Sequence, residues 1–152
     1  MQQVGVVTLP QLAPLYRKIC HPTAWIEFGA EPQMPTTWEV TGLVTLDASS
    51  CKCGLGHYVF SVGLVKQRAL SVENLTFVGY ADGSFIDNDG GTLTVTNSTF
   101  AGNPADGVGI INYGGGMLTV ANSTFADNSS GIGNFYSTLT VTNSTFSGNS
   151  IQ

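Results

Sequence analysis

The stretch Leu93-Thr94-Val95-Thr96-Asn97-Ser98-Thr99-Phe100 returns twice further along the chain, as Leu118 through Phe125 (LTVANSTF) and as Leu139 through Phe146 (LTVTNSTF). A looser version, Leu70 through Phe77 (LSVENLTF), precedes it. The leading leucines are 23, 25 and 21 residues apart. Such a period is too short for helical hairpin repeats and suits one turn of a solenoid.

The residue types make that turn from strands. Apolar and hydroxyl residues alternate through Leu93-Thr94-Val95-Thr96, as a strand with one buried face requires. Asn97 breaks the alternation, and asparagine suits a sharp corner because it tolerates left-handed backbone angles. A short strand, Ser98-Thr99-Phe100, follows, and Asn103, Asn128 and Asn149 mark a second corner three residues past each Phe. The Gly-rich stretches carrying Ile110-Ile111 and Ile132 supply a third face. Stacked coils place Leu over Leu and Val over Val, with backbone pairing at about 4.8 Å. They also give a phenylalanine column of Phe77, Phe100, Phe125 and Phe146, and an expected amide ladder of Asn74, Asn97, Asn122 and Asn143 at the first corner. Burying one coil's apolar side chains contributes on the order of 6–10 kcal/mol before entropy is subtracted.

The expected fold is all-β: a right-handed, three-faced parallel β-helix of roughly five to six coils. Residues 69–152 hold the regular repeats. In residues 26–68, Ile26, Phe28, Trp38, Val40, Val44, Leu46 and Tyr58-Val59-Phe60 read as irregular first coils with an insertion at 48–56. Residues 1–25, with three prolines and a helix-compatible Leu12–Ile19, read as a cap over the open end. The last repeat stops without a polar cap, which suggests a truncated solenoid or an end that pairs with another copy.

Only 10% of residues are charged, the net charge is −5, and no Lys or Arg follows Arg68. A nucleic-acid footprint needs clustered cations, so that partner is not expected, nor is an anionic membrane surface. No transmembrane run is visible, and the Met1-Gln2-Gln3-Val4 start lacks the pattern of a secretory signal.

The repeats resemble the right-handed parallel β-helix proteins of bacterial surfaces, most of all the polymorphic outer membrane protein type of autotransporter passenger. That family's Phe-x-x-Asn signature is matched by Phe100 to Asn103, Phe125 to Asn128 and Phe146 to Asn149. Its Gly-Gly-Ala-Ile-like tetrapeptide is matched in degenerate form by Gly107-Val108-Gly109-Ile110 and Gly131-Ile132-Gly133-Asn134. The resemblance implies an exported, extracellular or cell-surface, adhesin-like protein used in attachment.

Several clusters carry candidate chemistry. Cys20-His21 and the Cys51-Lys52-Cys53…His57 stretch contain zinc-type ligands, although one-residue cysteine spacing is unusual for zinc and an incidental loop is preferred. A disulfide from Cys20 to Cys51 or Cys53 stays open. Asp82, Asp87 and Asp89 offer oxygens for calcium, against the plainer reading of a solvated turn. A polysaccharide lyase needs a base and a cation, and a glycoside hydrolase needs two spaced carboxylates. Neither set stands out, so no catalytic residue is assigned. The Thr94/Thr96 and Thr140/Thr142 rows form hydroxyl arrays of the kind ice-binding solenoids present, and Thr is also simply a good strand residue. Five Asn-x-Ser/Thr sequons begin at Asn74, Asn97, Asn122, Asn128 and Asn143 and are read as products of the repeating corner. Tyr113, Phe135 and Tyr136, in the variable loops, are the aromatic candidates for stacking on a sugar. The expected partners are a polysaccharide or a host-surface protein.

Overall fold

A computed structural model describes the backbone of residues 4–8, 26–28, 37–47, 58–62 and 82, and backbone with side chains for 68–79, 83–103 and 106–150. All described strands pair in parallel, as stacked coils of a solenoid.

The first face is built from β1 (Val4–Thr8), the leading halves of β3 (Thr37–Asp47) and β5 (Ala69–Val78), then β7 (Thr92–Thr96), β10 (Met117–Ala121) and β13 (Thr138–Thr142). The second face holds the trailing halves of β3 and β5, followed by β8 (Thr99–Ala101), β11 (Thr124–Ala126) and β14 (Thr145–Ser147). The third stacks β2 (Ile26–Phe28), β4 (Tyr58–Val62), β6 (Asp82–Asp89), β9 (Asp106–Tyr113) and β12 (Ser130–Asn134). About three turns, from β5 to β12, have described side chains, and β13 and β14 begin the next.

Register follows the repeat residue for residue: Leu70, Leu93, Leu118 and Leu139 align, as do Val72, Val95, Val120 and Val141. In β3, Trp38, Val40, Val44 and Leu46 pair with Leu70, Val72, Leu75 and Phe77 across an irregularity between Thr41 and Val44. Val4–Thr8, expected within a separate cap, instead pairs in parallel with Thr37–Thr41, so the sheet already begins there. The Leu12–Ile19 helix, the 48–56 insertion and all three cysteines lie outside the described residues.

The core is a set of columns. Leu70, Leu93 and Leu118, with Val72, Val95 and Val120, are buried along the first face. Phe77, Phe100, Phe125 and Phe146 stack along the second, with centroid separations of 4.7, 4.8 and 4.9 Å and rings within 9° of parallel. Period-two alternation puts these rings inward, and the coil repeat brings each onto the next.

The expected Asn74–Asn97–Asn122–Asn143 amide ladder is corrected by the geometry. These four residues form the first corner in the left-handed region, with φ of 59°, 50°, 51° and 47°. That conformation turns the side chains outward: Asn97, Asn122 and Asn143 are exposed, and Asn97 donates to Glu73 at 3.3 Å. The buried amide ladders run elsewhere. At the second corner Asn103 donates to Asn128, and Asn128 Nδ2 to Asn149 Oδ1 at 3.0 Å. At the third, Asn88 Nδ2 donates to Asn112 Oδ1 and Asn112 Nδ2 to Asn134 Oδ1, each at 2.7 Å. A serine ladder fastens the first corner: the Ser98 hydroxyl accepts from Leu75 N at 3.2 Å, Ser123's from Ser98 N at 3.2 Å and Ser144's from Ser123 N at 3.1 Å.

Candidate functional site

The third corner, between β12 and β13 and the coils below, holds the most unusual surface. Three turns stack there: Asp89-Gly90-Gly91, Tyr113-Gly114-Gly115-Gly116 and Phe135-Tyr136-Ser137. Asp89 pairs with Tyr113, and Asn112 with Asn134, so Asp89, Tyr113 and Phe135 follow one another up the corner. The next position must take a positive φ. Gly90 (72°) and Gly114 (66°) meet that need at little steric cost, whereas the third coil places Tyr136 there at 51°. A bulky residue in this region costs about 1–2 kcal/mol. Tyr136 is 100% exposed, so burial does not offset that cost. Phe135 (56%) and Met117 (52%), which opens β10 just past the second turn, are also exposed.

The buried amide ladder fixes this corner from beneath. Asn88 Nδ2 donates to the Gly91 and Met117 carbonyls at 3.1 and 3.2 Å, and Asn112 Nδ2 to that of Thr138 at 3.0 Å. Asn134 Nδ2 donates to the Ser137 carbonyl at 3.0 Å. Phe135 N donates to Asn112 O at 2.8 Å, and the Phe135 ring folds over Gly133, where a Cβ would meet it at 3.0 Å. Ordering such a surface in advance reduces the entropy lost on binding.

The tyrosines and Phe135 are thus brought together; the other candidates are not. Thr94/Thr96 and Thr140/Thr142 lie two coils apart on the first face, separated by Thr119 and Ala121, with Glu73 below Thr96. Asp87 accepts a hydrogen bond from the Ser84 hydroxyl. Burial pushes the Asp87 carboxyl up from its ordinary range and neighbouring Asp89 adds to the rise, while the Ser84 bond partly opposes it. The Asp89 carboxylate sits over Gly114, and only the backbone of Asp82 is described. Among the described residues no group of three His, Cys, Asp or Glu side chains is arranged to hold a metal. Glu73 lies by Asn97 at the first corner, and Asp127 over Gly148 at the second, far from either of the others along the coil. Arg68, the one described cation, is buried.

The family model described as the right handed beta helix region matches residues 61–152. This chain belongs to that family. No curated protein and no solved structure matches it. Family membership gives the β-helix its fold, and the site has to be read from its own residues.

Sequence reasoning named Tyr113, Phe135 and Tyr136 but missed what holds them. The Asn88, Asn112 and Asn134 column, spaced by 24 and 22 residues, recurs with the repeat. It is hidden when segments are aligned on their leucines, because it falls in the Gly-rich stretches between them.

Proposed function

We propose that this β-helix is a non-catalytic surface or secreted scaffold of the adhesin or passenger type, recognising its partner at the third corner. The observation that carries the reading is Tyr136, fully exposed at a left-handed position that the two preceding coils give to glycine. Strain without compensating burial is characteristic of residues kept for what they touch outside the molecule. The surface location draws on the likeness of the Phe-x-x-Asn repeats to bacterial surface passengers. Against a polysaccharide lyase stands the run of residues after Arg68, which offers neither Lys nor Arg to stabilise a developing anion.

End-to-end pairing with another coil of the same pattern belongs to the same proposal. Leu139, Val141 and Phe146, whose counterparts in the coils below are buried, are 36%, 39% and 37% exposed.

The test is attachment. Particles carrying the chain are expected to adhere to cell surfaces, and particles carrying the double variant Phe135→Ser/Tyr136→Gly to be shed. Equal adhesion by both would remove the third corner from the reading.

A further inference from the structure

We infer that the third corner binds an uncharged polysaccharide, its sugar rings stacked on Phe135 and Tyr136, with Tyr113 one coil below. This names the ligand class for the recognition surface proposed above and rests on that reading.

Three features select the ligand. The first is shape. The aromatics form a short ridge on two coils. Tyr113 and Phe135 share a column one step of about 4.8 Å apart, a step close to the length of one sugar ring, and Tyr136 stands beside Phe135 on the same turn. Stable protein–protein interfaces need about 800 Å² per partner, which a ridge of this size does not offer. A pyranose presents a flat face of C–H groups to an aromatic ring, with hydroxyls at its rim.

The second is charge. Asp89 heads the same column as Tyr113 and Phe135, and no Lys or Arg occurs after Arg68. A uronate, sulfate or phosphate polymer would meet a carboxylate and no cation. A neutral glycan instead offers hydroxyl donors to Asp89 and both donor and acceptor to the exposed Tyr136 hydroxyl.

The third is order. The turn carbonyls of Gly91, Thr138 and Ser137 are each held by an amide of the Asn88–Asn112–Asn134 ladder. The ridge is therefore set before the ligand arrives, as sugar sites of modest contact area need.

The experiment is affinity electrophoresis of the whole chain in gels containing mixed-linkage β-glucan, glucomannan or polygalacturonate. Retention by at least one neutral polymer and none by polygalacturonate is expected. Tyr136→Gly restores the residue type of Gly90 and Gly114, so it should leave the melting temperature unchanged or higher while weakening retention at least tenfold. Tyr136→Phe should keep most of it. Retention by polygalacturonate as strong as by the neutral polymers overturns the inference, as does retention that Tyr136→Gly leaves intact. Absence of retention in every gel, with cell attachment still lost in the double variant, overturns the glycan while leaving recognition at this corner in place. Absence of both retention and attachment overturns the two together.

Discussion

The ring of Phe125 occupies the space that a side chain on Gly109 would need: a Cβ there would lie 2.9 Å from Phe125 Cδ1 and 2.5 Å from Gly131 O. Gly131 stands in the same relation to Phe146, at 2.9 Å. One coil earlier, Phe85 holds the aligned position. It packs tilted against Phe77 and Phe100, with centroids 5.1 and 6.1 Å away. Gly109 and Gly131, third and first in their respective tetrapeptides, are aligned by the register and are packing requirements of Phe125 and Phe146.

Gly109→Ala forces that column or the β12 backbone to shift. A loss of about 1–3 kcal/mol is expected, typical of overpacking a close-fitted core, read as a lower urea midpoint with an unchanged slope.

Asn112 is the central rung of the third-corner ladder. Asn112→Leu leaves Asn134 Oδ1 and the Thr138 carbonyl without their donor. Both acceptors lie on exposed residues, so at about 0.5–1.5 kcal/mol per hydrogen bond lost equilibrium unfolding should show a loss of the same order as for Gly109→Ala. Asn112→Asp should be worse still, since it sets a carboxylate against those same acceptors.

At the first corner, Asn122 is exposed with φ of 51°. Asn122→Gly should be close to neutral, because glycine takes that angle freely. Asn122→Val should lose about 1–2 kcal/mol, as its Cβ meets the carbonyl that left-handed backbone brings close. Thermal melts of the two variants separate this backbone effect from a lost side-chain ladder, which would make both substitutions costly.

Asp87 gives the stability a pH dependence of defined sign. Its carboxyl is raised above the ordinary value of 3.8, chiefly by burial. The folded state therefore holds its proton more tightly than the unfolded one. The stability it contributes is complete below 3.8 and is lost as pH rises through the raised value. Asp87→Asn cannot titrate, so its melting temperature relative to the parent should improve from pH 3 to pH 7. A constant difference over that range would show that the carboxyl is unperturbed.

The strands and core columns were legible because period-two alternation and the coil repeat act on the same residues. Leu93, Val95 and Phe100 are spaced to face inward, and their copies return at a coil's length. The amide ladders were harder to place, since an asparagine serves equally as an outward corner residue or a buried rung. Asn97 and Asn103 differ in backbone angle and direction, and composition carries neither. Phe-x-x-Asn held the useful signal: two residues after an inward Phe comes the left-handed Gly102, and Asn103 then turns back inside. At the third corner the aromatics were visible as residue types. Their meeting depended on the Asp89–Tyr113 and Asn112–Asn134 registers, which turns of unequal length conceal.

The most direct test of the scaffold account is product release from a panel of acidic and neutral polysaccharides, with and without calcium. The account predicts no new reducing ends and no unsaturated ends from any polymer, including one that the chain retains. Release of either product by the purified chain would contradict it and turn attention to the carboxylates of the loops.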